Sequence, residues 1–413
     1  MMVKEIYRDS VEEFKVKLEA STIASTRKKK IERSAVRIYS DGKIGIAGAI
    51  GKANLNDLEK KAIEKLKFDL TYEARPTEGI YEHMKLRCAF DDPESLQREF
   101  EYITAQLKKS HPNFLYNGHA DFEKVDVILE NEAGLGLSHT HTAYRMVFLL
   151  KKKDSANMLD GYLWSEGLRY SRDRVMETFE EILTALENEA PLPNKKKMRV
   201  LFLVSDGQPL WIFYRDLNAL RFGCGGSLFS GKLGQKLFTD KFTLIQTRNS
   251  DDGFIGTFFD MEGTVVEDLR YPLIKEGKLI TPYTSKKYAA RYGYDLTGAA
   301  GGDFDSVPDV TFPRLTVKPT HNKIEEIAGD EAIFVLVGGG GDFTPEGNFS
   351  LPVQIPLLYK NGSFVGKLPP VRIRSNVWKM FDEDFVGVSE KPLMFTDESS
   401  RILAIDMEVS EEI

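Results

Sequence analysis

The chain has 413 residues, 42% of them hydrophobic and 29% charged, with two cysteines and a net charge of −7. That length allows two or three domains with cores of their own, and the acidic balance gives no electrostatic footprint for nucleic acid. Cys88 and Cys224 are too few for a disulfide framework or a cysteine-built zinc ribbon, and no run approaches the roughly 18 apolar residues of a membrane helix.

The opening stretch, MMVKEIYRDSVEEFKVKLEAS, alternates charged with apolar residues and has no uninterrupted apolar signal core. It predicts an amphipathic helix and a cytoplasmic protein. Val36, Ile38 and Tyr39, then Asp41-Gly42, then Ile44 and Ile46 predict a hairpin. Asn54 is placed to cap a helix carrying Leu55, Leu58, Ala62, Ile63 and Leu66. An extended stretch around Arg75-Pro76 leads to a second helix, DPESLQREFEYITAQLKKS. Two strands then flank a turn at Asn131–Gly134, and a helix from about Ser171 to Glu189 carries an apolar stripe from Val175 to Leu186. Pro191 and Pro193 end it, and PLPNKKK is the best domain boundary. The division expected is 1–193, an α+β domain of helices and sheet, and 194–413, mostly antiparallel β.

Beyond the boundary MRVLFLVS reads as a buried strand. GTFFD and TVVEDLRYPLI read as strands around a turn at Asp260-Met261-Glu262-Gly263, with Gly263 at a left-handed position. KEGK makes the next reversal, and TSKKYAARYG is a short helix capped by Thr284 or Ser285 and ended by Gly293. AIFVLV, FSLPVQIPLLYK, SFVGKL and VRIRS are late strands. Basic clusters at 26–30, 151–153 and 194–197 are read as solvated loops or strand ends rather than phosphate sites.

Candidate chemistry is sparse. His139 and His141, two apart on a strand, point to one face as paired metal ligands do. No third ligand is near in sequence, and a solvated strand face explains them more simply. Cys224, among glycines, could be a nucleophile beside free backbone N–H groups, yet no histidine partner is evident. A flexible surface connection is the plainer reading. VGGGGDFT (337–344) follows a buried strand without opening a helix, which excludes a dinucleotide fingerprint. Close backbone packing, or an edge for an extended peptide, fits these glycines better. The residues alone show no self-sufficient catalytic centre.

The run GTFFDMEGTVVEDLRYPLIKEGKLITPYTSKKYAARYG (256–293) strongly resembles the C-terminal signature of the TldD/PmbA family, labelled modulators of DNA gyrase and understood as peptidase subunits. VRIYSDGKIGIA, DVILENEAGLGLSHTHTAYRMVF and GDFTPEGNFSLPVQIPLLYKNGSFVGKLPPVRIRSN are similar to other family blocks and follow in the same order, so the resemblance covers about Ala35 to Val388.

The resemblance implies two kinds of subunit. The TldD kind holds zinc with an H-E-x-x-x-H helix and a distant cysteine, and its glutamate activates the metal-bound water. The PmbA (TldE) kind lacks these ligands and pairs with the first to enclose a chamber. Here the matching stretch LWIFYRDLNALRFG (210–223) has no histidine, and RIRSNVWKMFDEDFVGVSEK (372–391) has no cysteine. The chain therefore looks like a PmbA/TldE-type subunit with no catalytic residue, metal or cofactor of its own. It would pair with a TldD-type partner, or with itself as a homodimer, and hold an extended peptide.

Thr257, Phe259, Asp260, Gly263, Gly339 and Gly340 are the expected channel lining. Thr257 and Phe259 would face one side of a hairpin, with Phe258 and Asp260 on the other. The plain alternative is a core hairpin without substrate contact. Two other functions stay open. One is a self-contained hydrolase using Cys224 or the His139/His141 pair. The other is a non-enzymatic protein modulating another enzyme.

Overall fold

In the computed structural model, which describes residues 2–392 and 401–412, long strands open the chain. β1 (Val3–Glu19), β2 (Thr22–Ser40) and β3 (Lys43–Ile50) form a meander, followed by α1 (Leu55–Lys65), β4 (Ile80–Leu86) and α2 (Pro93–Ser110). β5 (Phe114–Asn131), β6 (Leu135–Lys152), β7 (Gly161–Gly167) and α3 (Arg172–Glu187) complete the first half. The sheet runs β3-β2-β1-β5-β6-β4, with β7 also on β6, and only β4 lies parallel to its neighbour.

The N-terminal segment is thus a strand, not the expected helix. Its alternation of charged and apolar residues has period two: Phe14, Val16 and Leu18 are buried, while the residues between them keep contact with water. On the outer face a cross-strand partner is supplied by Lys15–Asp121 at 3.1 Å. The basic cluster 26–30 lies within β2 rather than at a loop or strand end, because β1 pairs with it residue by residue. Lys28, Lys29 and Lys30 are exposed there. The other two clusters do fall at strand ends.

The β2–β3 turn is built as expected, with Asp41 at φ 51° and Gly42 at φ 74°. Asn54 caps α1 by accepting the Asn56 N–H, and Asp92 caps α2 by accepting that of Ser95 at 2.6 Å. Apolar faces of α2 and α3, including Phe100, Ile103, Phe179 and Ile182, share a buried cluster with the sheet. That cluster runs on past Pro193 through Leu201, Phe334 and Leu357.

The second half holds β8 (Lys197–Leu203), α4 (Trp211–Asp216), α5 (Ala219–Gly223), β9 (Leu244–Thr247), β10 (Arg270–Lys275) and β11 (Lys278–Leu279). Next come α6 (Lys286–Tyr292), β12 (Ala300–Gly301), β13 (Asp309–Val310), β14 (Arg314–Val317) and α7 (Glu325–Ala328). β15 (Glu331–Gly338), β16 (Asp342–Phe343), β17 (Asn348–Lys360), β18 (Ser363–Lys367), β19 (Val371–Asn376), α8 (Val377–Met380), β20 (Phe385–Val388) and β21 (Ile402–Glu411) finish it. The pairing β15-β8-β21-β19-β17 returns to β15, so these strands close into a ring, mostly antiparallel. The fold is α+β, strand-rich toward the C-terminus. Among the described residues, no helix is long and apolar enough to cross a membrane.

The hairpin expected around Asp260 does not form: residues 256–266 contain no strand, and β10 begins only at Arg270. Side chains take up the backbone groups that a ladder would have used. Arg248 donates at 3.0 Å to the carbonyls of both Thr257 and Phe259, while Asp260 accepts the N–H of Glu262 and of Thr264.

Candidate functional site

The DMEG turn sits where the first sheet meets the second half. Gly263 occupies the left-handed position as expected, at φ +71°, and its N–H closes the turn on the Asp260 carbonyl at 3.0 Å. A Cβ added there would lie 2.8 Å from a Leu135 methyl. One Asp260 oxygen takes the Glu262 and Thr264 N–H groups at 2.9 and 2.8 Å, and the other takes that of Ala300 at 3.0 Å. Phe258 and Phe259 are both buried and meet edge to face, in place of the expected alternation.

Around this turn lies a set of buried charges. Arg37, fully buried on β2, donates to Glu5 Oε1 at 3.2 Å and to the Met261 carbonyl at 2.7 Å. Glu262 accepts from the Tyr72 hydroxyl at 2.6 Å and from the Lys286 N–H, the first of α6, at 2.7 Å. Burial, and then the negative charge of Asp260, push the Glu262 carboxyl up to about 7. Burial pulls the Lys286 ammonium down, against the attraction of Glu262, Asp260 and Glu5. Its Nζ donates to the Thr77 hydroxyl and the Arg75 carbonyl.

Beside the turn is a cavity of about 260 Å³. Thr257, Phe259 and Asp260 line it together with Tyr7, Arg248 and Arg314. The Arg248 guanidinium is fixed by carbonyls alone, those of Thr257, Phe259 and Gly298, and burial lowers its pKa. Arg314 has its Nε buried without a partner, and no ion pair to it occurs among the described residues. Gly339 and Gly340 follow β15 and do not line this cavity. The Gly339 N–H is bonded to the Pro352 carbonyl at 2.7 Å. Side chains crowd the neighbouring glycines: added Cβ atoms would lie 2.6 Å from Gln208 at Gly338 and 2.7 Å from Leu351 at Gly341. Gly340 itself, at φ +81°, has open space where a Cβ would stand.

His139 and His141 do share one face of β6, but it is buried, not solvated. The paired rings lie 3.2 Å apart, Nε2 to Nδ1, with the Phe258 ring tilted against His139 at 6.0 Å between centroids. Burial and the neighbouring imidazole hold His139 down at about 4. Cys224 is exposed, and its thiol donates to the Arg221 carbonyl at 3.4 Å. Among the described residues, no group of three His, Cys, Asp or Glu side chains is placed to hold a metal ion.

Where the resemblance places the zinc helix, the chain forms α4 and α5. Asp216, the last residue of α4, is buried and clamped: Oδ1 takes Arg221 Nε at 2.6 Å, and Oδ2 takes Arg215 Nη2 at 2.9 Å. A carboxylate engaged by two guanidiniums, with no imidazole or thiolate beside it, does not fit a zinc ligand set. The sequence reading missed Arg37, Arg248, Arg314 and the Glu262 cluster. For Arg37 a signal existed, since VRIY places an arginine inside an apolar run opposite Glu5 on β1.

A family model, PmbA/TldA metallopeptidase C-terminal domain, matches residues 196–410. The chain belongs to the PmbA/TldD metallopeptidase family. It is 27% identical over 162 residues to an uncharacterized protein of Methanocaldococcus jannaschii, and 25% identical over 156 residues to a metalloprotease of Methanothermobacter thermautotrophicus. These matches span 37% and 34% of the two relatives. The fold is similar to that of TldE from Thermococcus kodakarensis, with TM-score 0.80 and 17% identity over 99% of this chain and 96% of that one. A Thermotoga maritima structure described as a modulator of a DNA gyrase gives TM-score 0.80 and 16% identity with the same coverage.

Proposed function

We propose that this chain is the PmbA/TldE-like, non-metal-binding subunit of a cytoplasmic TldD/TldE-type metallopeptidase complex that degrades or processes unfolded peptides. The Asp216 clamp carries this reading, because two arginines occupy the carboxylate where a zinc helix would offer ligands. A TldD-type partner would supply the metal and the attacking water. This chain would complete the chamber, with residues 194–413 as one domain and 1–193 as the other. Thr257, Phe259 and Asp260 would touch the peptide in the cavity, Gly263 would shape its wall, and Gly339 and Gly340 would line the channel elsewhere.

Co-expression with a TldD-type subunit tests the reading. The two chains should copurify, and peptide hydrolysis should exceed that of either chain alone by about a hundredfold or more. Full activity from this chain by itself, or stoichiometric zinc in it that is lost on His139→Ala, would refute the proposal.

A further inference from the structure

The geometry points to the cavity between Arg248 and Arg314 as a carboxylate subsite that takes the C-terminal carboxylate of an extended peptide. This inference rests on the peptide-holding role proposed above and gives it a chemical anchor. Arg314 is the first reason. Its buried Nε has no acceptor, and a guanidinium N–H removed from water without one is costly. Arg314 also lines the cavity, so an anionic ligand there would meet a charge for which no ion pair occurs among the described residues.

Arg248 is the second reason. Its three carbonyl partners fix the plane of the guanidinium but leave its charge uncompensated by direct contact. Of its five N–H donors, one on Nη2 remains for a ligand.

Charge selects the ligand class. The lining carries two guanidiniums and one carboxylate, Asp260, whose oxygens are taken up by three backbone N–H groups. The balance is one positive charge, suited to a monoanion rather than a phosphate dianion. A planar carboxylate also matches the guanidinium fork.

Size and surroundings select a chain end. A cavity of about 260 Å³ falls below the roughly 300–1,000 Å³ usual for whole small-molecule ligands. Phe254 and Phe259 offer apolar wall for a terminal side chain. A second cavity of about 430 Å³ shares Phe254, Phe312, Pro313 and Arg314, which gives the preceding residues room. Glu166, in that second cavity, lies 3.1 Å from Arg145.

The test is calorimetric titration of the full chain with three probes: an N-acetylated tetrapeptide acid, its C-terminal amide, and N-acetylglycine. The acid should bind about tenfold or more tightly than the amide. Arg314→Gln should bring the acid-to-amide ratio close to one without lowering the melting temperature, since among the described residues Arg314 has no side-chain hydrogen bond or ion pair to lose. Equal binding of acid and amide would overturn the carboxylate subsite while leaving the peptide-holding role intact. Binding of neither peptide would overturn both. N-acetylglycine binding as tightly as the tetrapeptide acid would assign the site to small acids and overturn the chain-end inference.

Discussion

Arg37→Met is expected to lower the unfolding free energy by about 3–5 kcal/mol, the usual cost of removing one member of a buried ion pair. Methionine keeps much of the volume but strips Glu5 of its cation. The Glu5 carboxylate, 1% exposed, would retain only the Tyr39 hydroxyl at 2.8 Å and the Asn131 amide at 3.3 Å. The Met261 carbonyl would lose its donor as well. Adding Glu5→Leu should recover much of the loss, because a buried pair replaced as a whole by apolar groups is often near neutral. Denaturant melts of the parent, single and double variants read this directly. A single variant within about 1 kcal/mol of the parent would mean that the pair contributes little.

Glu262→Gln is expected to change how stability depends on pH. Glu262 moves from 4.5 up to about 7 on folding, so between those values the native chain binds more protons than the unfolded one. Its contribution therefore falls as pH rises through that window, by about 3 kcal/mol. His139 moves the other way, from 6.5 down to about 4, so the unfolded chain binds more protons. Its contribution is lost as pH falls through its own window, by a similar amount. In the parent the two slopes oppose each other between about 4.5 and 6.5. Glutamine can still accept from the Lys286 N–H and can donate to Tyr72, so the variant should fold. It should be more stable than the parent at pH 8 and lose about 2–3 kcal/mol on acidification from 6.5 to 4.5. Urea midpoints at three pH values measure this, and identical slopes in the two proteins would rule it out.

These buried charges also explain what the sequence withheld. The β2–β3 hairpin, the α1 cap and the α3 stripe were legible because each is set within a short stretch: Asp41-Gly42, Asn54, and Val175 to Leu186. The first strand was misread because Tyr7, Val11, Phe14 and Leu18 also fall at helical spacing. Pairing with β2 and β5, far along the chain, chose between the two patterns. At the DMEG turn Gly263 was readable, but the flanking backbone was not, since Arg248, the Asp260 carboxylate and the Ala300 carbonyl take up its hydrogen bonds. Arg314 carried no local signal at all. Its importance lies in what it fails to touch, which only the assembled fold reveals.

The contact from Arg37 to Met261 spans more than half the polypeptide, and it is reinforced by Tyr72 and Thr77 reaching Glu262. Heating should therefore melt the molecule in one step. A protease nick near Pro193 would leave the fragments clasped, since neither could shed its neighbour without laying a charged, dehydrated seam open to solvent.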